Sequence, residues 1–383
     1  MKFKLVICCV CIIGISCSSN SNQVDLKLIP VKSGDKWGYI NQKGEYLINP
    51  QFHDADFFRD GLAKVVSAED GKVGYISEDG KYKIPGDFKD GTPFVDGLAF
   101  VVSYGGAPVC IDQSGKTKFE LKEAKYAFSF SEGLAMFMAT DGQYGFVDKS
   151  GKVVINAQFE GANAFSEGLA VVRQEGKLGF IDKSGKIVIN LQFDGADNFH
   201  AGKAAFKNGN QVGFIDKKGS YVINPQFDLA AQFSEGMAAI KSGKQWGYIT
   251  EDGKIEINPQ FEDASSFKGG LARIEQGSKY GFINKQGKIE INPQFDLASS
   301  FYNDIALVKS ANKWGVINKK GKYLVNPQFD DMKWYEGQYY VKSDYYDTSA
   351  FISKFFERAN GNSFDGFDAS STLQTITDNA TYG

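Results

Sequence analysis

Apolar and polar positions alternate along most of this chain in short runs, and the runs return at a fixed interval. Residues 227–261 show one full cycle. Phe227, Ala230 and Phe233 are spaced by three, as on a short extended or turn-like segment, and Gly236 ends it. Met237 to Lys241 then reads as a strand, Ser242-Gly243-Lys244 as a turn, and Trp246 to Ile249 as a second strand. Thr250-Glu251-Asp252-Gly253 closes a hairpin, where other copies begin with Asp or Asn (Asp182-Lys183-Ser184-Gly185, Asn318-Lys319-Lys320-Gly321). An Asx residue at the start and a glycine at the end predict a type I turn with a left-handed glycine. Lys254 to Ile257 is a third strand, ended by Asn258-Pro259 because proline cannot donate to a ladder. Each cycle is thus a three-stranded antiparallel meander with a short fourth segment.

The cycle repeats along residues 25–342. Anchored on the glycine of the second strand, copies stand at Gly38, Gly74, Gly145, Gly179, Gly213, Gly247, Gly281 and Gly315, and a worn copy at Val109 keeps its register through Ile111-Asp112 and Gly115-Lys116. Nine units follow one another at intervals of 34 to 36 residues. A constant period of this size marks a repeat array, since one small sheet buries little and must stack on its neighbours. The aromatic two places beyond the strand glycine's predecessor (Tyr39, Phe180, Phe214, Phe282) and the Phe of Asn-Pro-Gln-Phe are the expected core. The glycine itself is expected to let an aromatic of the adjacent unit lie against bare backbone.

Trp37-Gly38-Tyr39-Ile40, Trp246-Gly247-Tyr248-Ile249 and Trp314-Gly315-Val316-Ile317 carry a family resemblance. With the downstream Gly-Lys or Gly-Glu and the Phe-Ser-Glu-Gly-Leu-Ala copies, the chain resembles the bacterial WG-repeat family over most of its length. The resemblance implies a repeat scaffold with no assigned reaction. Val73, Leu178 and Val212 depart from it in place of Trp, and the third unit lacks the Trp-Gly pair.

The N-terminus has a different pattern. Lys2 and Lys4 precede an apolar run over 5–15, too short to span a hydrocarbon core and of the form of a secretory signal. Gly14-Ile15-Ser16-Cys17 resembles a bacterial lipobox, with Gly14 in place of the usual Leu. The resemblance implies a signal peptide over 1–16, cleavage before Cys17, and acylation of Cys17 as the lipid attachment site. Several acyl chains together anchor stably to a membrane where one is marginal. Residues 17–24 then form a polar, lipidated tether. This predicts a lipoprotein of the cell envelope, held at the outer membrane and facing the periplasm or the surface.

Composition removes some functions. The 43 basic and 46 acidic residues are spread along the chain, for a net charge of −3, so no basic face for nucleic acid is present. Only Cys110 lies in the body of the chain; it occupies the aromatic position of the worn unit and reads as a buried filler. His53 and His200 have no second ligand at metal-site spacing, and no nucleophile elbow or phosphate loop occurs. The expectation is a non-catalytic protein without cofactor or metal. Lysines behind the turn glycine (Lys152, Lys186, Lys254, Lys288, Lys322) and acids behind the Phe (Glu160, Asp194, Asp228, Glu262, Asp296, Asp330) read as solvating ladders. Trp37, Trp246, Tyr280 and Trp314 are the candidate binding residues: on an exposed stripe they would stack on sugars or anchor a partner, and turned inward they are core. Val and Leu at the same place in other units favour core.

The expected architecture is all-β: a tandem array of antiparallel meanders, as an open β-solenoid, with a propeller-like ring as the alternative. First strands over 26–31 and 339–342 give ten first strands for nine Trp-Gly hairpins, a surplus that argues for the open form. Residues 343–383 are expected to hold a capping helix over 348–359, with Phe351, Ile352 and Phe355 packed on Tyr339 and Val341, followed by a polar tail. The expected function is a scaffold for another envelope protein, with binding of carbohydrate or peptidoglycan as the alternative.

Overall fold

The computed structural model describes residues 27–333 and the backbone of 340–342. The signal segment, Cys17, the tether and the expected capping helix lie outside the described residues. Every described element is a β-strand. One unit comprises Leu229–Ala230, Met237–Ser242, Gln245–Thr250 and Ile255–Phe261, hydrogen-bonded in that order and antiparallel throughout. Successive units form blades, numbered here by their second strands: Lys36–Ile40 (blade 1), Val73–Ile76, Val109–Asp112, Tyr144–Asp148, Lys177–Asp182, Gln211–Asp216, Gln245–Thr250, Lys279–Asn284 and Lys313–Asn318 (blade 9). The worn unit therefore keeps its place as blade 3. Blades 1 and 2 share the continuous strand Tyr46–Ala55 and so form one seven-stranded sheet.

The local chemistry follows the sequence. In blade 5 the Asp182 carboxylate accepts the N–H groups of Ser184 (2.9 Å) and Lys186 (3.1 Å), while Gly185 closes the turn at φ +86°. First strands are buried on both faces, as in Met237–Ser242, whereas third strands alternate and expose their first two residues. The strand glycine has a different reason from the one expected. A Cβ on Gly281 would stand 2.6 Å from the carbonyl oxygen of Ile291 and 2.6 Å from the nitrogen of Pro293, both backbone atoms of its own third strand. The third strand bulges there between Phe282↔Ile291 and Tyr280↔Phe295, and its backbone rather than a neighbour's ring covers the glycine.

The array closes on itself. After the third strand of blade 9, Asp331–Met332 pairs with the N-terminal strand Ile29–Ser33 (Val31↔Met332, Lys32↔Asp331) and so supplies the short strand of blade 1. Two further contacts made between consecutive blades recur across this seam. Turn glycines pack on the third-strand aliphatic of the preceding blade, Gly185 on Ile155 and Gly287 on Ile257, and likewise Gly44 of blade 1 on Val325 of blade 9. Ile29, Val31 and Ile40 share one core cluster with Leu307, Val316 and Met332. The tandem meanders stand as expected, and of the two expected assemblies the chain adopts the propeller-like ring and not the open solenoid. A ring leaves no terminal sheet face to cap.

The strand expected at 339–342 also takes a different place. Tyr340–Lys342 does not begin a tenth unit; it pairs antiparallel with Ala124–Ser131 of blade 4 (Ala127↔Val341, Phe128↔Tyr340), at the edge where other blades carry a bare two-residue strand.

Candidate functional site

In each four-stranded sheet the two-residue strand forms one edge and the third strand the other, called the rim here. Between blades the core is aromatic. The second-strand ring of one blade meets the Phe of the next turn segment at centroid distances of 4.7 to 5.1 Å, from Tyr39–Phe58 to Phe282–Phe301. Where the ring is tyrosine its hydroxyl donates to a carbonyl of the next blade, as from Tyr39 to Asp56 at 2.8 Å. Cys110 fills the aromatic place in blade 3, fully buried as expected, and burial pushes its thiol up to about 12, well away from thiolate chemistry.

All four candidate binding residues belong to this core. Trp37, Trp246, Tyr280 and Trp314 are between 4% and 8% exposed, so no sugar can stack on them. Lys333, Lys241, Arg273 and Lys309 lie over their rings. The tolerance of the same place for Val73, Leu178 and Val212 was the signal for burial.

The acidic ladder does more than solvate. Each acid behind the Phe reaches the first hairpin of the next blade: Asp194 accepts from the Gly209 N–H (2.7 Å), Asp228 from Gly243 (2.6 Å) and Glu262 from Gly277 (2.9 Å). Asp330 does the same for Gly34 across the seam, at 2.8 Å. A second clip, which the sequence reading did not separate from the repeat pattern, uses the Glu of Phe-Ser-Glu-Gly: Glu167 accepts from the Gly202 N–H and pairs with Lys217, both of the following blade, at 3.0 Å each. Serine hydroxyls bridge blades at the same turn, Ser166 to the Phe199 carbonyl (2.7 Å). His200 stands at the serine's place, and its Nδ1 donates to the Phe233 carbonyl at 2.6 Å. His53 is exposed, as expected. The lysines behind the turn glycines are exposed and fit the solvating role.

Two charged constellations stand beside the short strands. Arg273, 1% exposed, pairs with Asp263 at 3.1 Å and donates to the Ala298 carbonyl at 3.1 Å. At the seam, Lys333 contacts Asp54 (2.6 Å) and Asp56 (3.0 Å), and Lys64 lies 3.3 Å from Asp56 and 3.8 Å from Asp90. Burial raises the Asp56 carboxyl, but Lys333 and Lys64 outweigh it and hold the group at about 2. In an unfolded chain the group titrates near 3.8. A depressed carboxyl contributes stability that is present above the unfolded value and lost as pH falls through the folded one. Urea midpoints should therefore drop between pH 4 and pH 2 by the equivalent of about 2 kcal/mol from this group, and Asp56→Asn should flatten that limb. Among the described residues, no group of three His, Cys, Asp or Glu side chains is arranged to hold a metal ion.

The rim is not uniform. Third strands of blades 6, 7, 8 and 9 carry Pro225, Pro259, Pro293 and Pro327, which offer no N–H at an edge, and those of blades 1 and 2 carry Pro50 and Pro85. Blades 4 and 5 carry Ala157 and Leu191 instead. The same two strands begin with exposed apolar pairs, Val153 (43%) with Val154 (37%) and Ile187 (41%) with Val188 (43%). In blades 7 and 8 the second member of the pair is Glu256 or Glu290.

The repeat described as WG containing repeat matches at residues 37–69, 74–105, 144–177, 179–211, 213–245, 246–280, 280–314 and 314–345. The chain belongs to the WG-repeat family. Between the matches lies 106–143, which holds the second and third strands of blade 3 and the first two strands of blade 4, in accord with the lost Trp-Gly pair of blade 3; the N-terminal strand Ile29–Ser33 precedes the first match. None of the curated proteins matches the WG-repeat chain. Among solved structures, a eukaryotic initiation factor is similar at 10% identity, with a TM-score of 0.57 over 82% of this chain and 97% of that one. That likeness concerns the fold alone. BamB from Moraxella catarrhalis aligns at 13% identity and a TM-score of 0.41 over 78% of this chain and 93% of that one. The computationally designed Ika8 protein aligns at 11% and 0.40 over 79% and 96%. Neither of these two bears on the reading that follows.

Proposed function

We propose that this WG-repeat protein is a cell-envelope lipoprotein, attached through Cys17, that serves as a non-catalytic scaffold for a partner protein. The observation that carries the reading is the rim of blades 4 and 5. Two neighbouring edge strands there combine exposed β-branched side chains with the absence of the edge proline and of the edge charge. Such an edge accepts an extended strand of another chain, whose backbone supplies affinity and whose alternate side chains meet the apolar pairs. The carbohydrate alternative rested on exposed tryptophans, and their burial leaves it without an observation in its favour.

Crosslinking in cells followed by mass spectrometry identifies the partner. Val154→Lys with Val188→Lys changes two exposed side chains, for which folding stability should move by no more than about 0.5 kcal/mol each, while partner capture is expected to fall at least tenfold. Recovery of glycan alone, or capture unchanged in the double variant, defeats the reading. Cys17→Ala should abolish acyl labelling and release the protein from membranes; retention would defeat the anchor.

A further inference from the structure

The ring has nine places for a first strand, and the chain carries ten segments that fit them. The phrase Val-Lys-Ser marks the end of this strand at 308–310 in blade 9, at 31–33 in the N-terminal strand, and again at 341–343. In blade 9 the pairing of short and first strands is Leu297↔Lys309 and Ala298↔Val308. The seam reproduces it with Asp331↔Lys32 and Met332↔Val31. Aligned on Val-Lys-Ser, Lys342 and Val341 correspond to Lys309 and Val308, at separations of 11 and 9 residues from Asp331 and Met332 where blade 9 has 12 and 10. That place is filled instead by a strand from the other end of the chain.

The N-terminal occupant carries a proline within this strand. Pro30 holds the position at which Arg273 and Leu307 donate a backbone N–H to the Ser265 and Ser299 hydroxyls of their short segments. Lys333 stands where those short segments carry serine, and its own N–H donates to the Pro30 carbonyl at 3.2 Å, so the proline leaves no hydroxyl unmet at the seam. The surplus copy lies three blades away, holding only three residues of the Ala124–Ser131 edge.

We propose that the groove between Asp331–Met332 and Lys36–Ile40 is a strand-binding site with two occupants in the same chain, Ile29–Ser33 and the C-terminal strand ending in Lys342. Exchange leaves the ring closed from within one end of the chain, frees the N-terminal strand, and uncovers the Ala124–Ser131 edge of blade 4 for an extended peptide.

The test uses cysteine pairs in the full chain, read by peptide mapping after equilibration in a glutathione buffer. Tyr126→Cys with Lys342→Cys reports the pairing described above, and Asp331→Cys with Lys342→Cys reports the exchanged one. The second pair is expected to crosslink within single folded molecules, and its yield to rise at least threefold when Ile29→Asp weakens the N-terminal strand. Should Ile29→Asp fail to fold, Val341→Pro serves in its place: removing the competitor should slow amide exchange at Val31 and Lys32 severalfold. Absence of the Asp331–Lys342 crosslink while the Tyr126–Lys342 one forms, crosslinks only between molecules, or exchange at Val31 unaffected by Val341→Pro each overturns the proposal.

Discussion

Lys333→Ala is expected to lower the stability of the ring by about 3 kcal/mol, read as a lower urea midpoint at constant slope. Lys333 directly follows the closing strand, and its ammonium spans the seam from blade 1 to Asp54 and Asp56 of blade 2. Removing it leaves two acids at the seam with one cation fewer. The figure is at the low end for a broken buried pair, because Lys64 still faces Asp56 and Asp54 is partly open to water. The loss should be largest at neutral pH and shrink below pH 4, since a protonated Asp56 no longer needs the partner. Adding Asp56→Asn should recover part of it. A loss equal at pH 7 and pH 3 would mean that Lys333 acts through packing on Trp37 and not through charge.

Gly281→Ala should cost about as much, at the upper end of the 1 to 3 kcal/mol typical of an overpacked site. The new methyl would meet the Ile291 carbonyl and the Pro293 nitrogen, and backbone cannot rotate aside as a side chain can. Gly176→Ala is the contrasting case: nothing lies within 4 Å of its added Cβ, and only its φ of +74° opposes the change, so about 1 kcal/mol is expected. Equal midpoints for the two variants would refute the close-approach account of the strand glycine.

Much of this architecture was legible because it is local. Strand alternation, the Asx-started turn and the glycine at positive φ depend on residues within one unit, and each stands where the pattern put it. Burial of the tryptophans was also readable, since Val73, Leu178 and Val212 can replace a core ring but not a sugar platform. What stayed hidden lies between units. The partner of Asp194 is a backbone N–H of Gly209, which every residue but proline carries, so no residue type betrays the clip. Closure depends on the small rotation between blades accumulated nine times, which no single unit displays. The tenth first strand was visible, but it was counted as evidence of an open end when it is a second copy of a strand already in place. The rim of blades 4 and 5 could have been found by asking which copies of Asn-Pro-Gln-Phe lack proline.

The seam also sets an order of events during synthesis. About 300 residues separate Lys32 from its partner Asp331. At roughly 5 to 20 residues per second, translation delivers the second of these some 15 to 60 s after the first. Throughout that interval blade 1 lacks its short edge strand, and each new blade can dock only on the one made before it. The arc therefore grows in one direction from the ribosome, and the last two residues of the circle, not the first blade, decide when its cooperative stability begins.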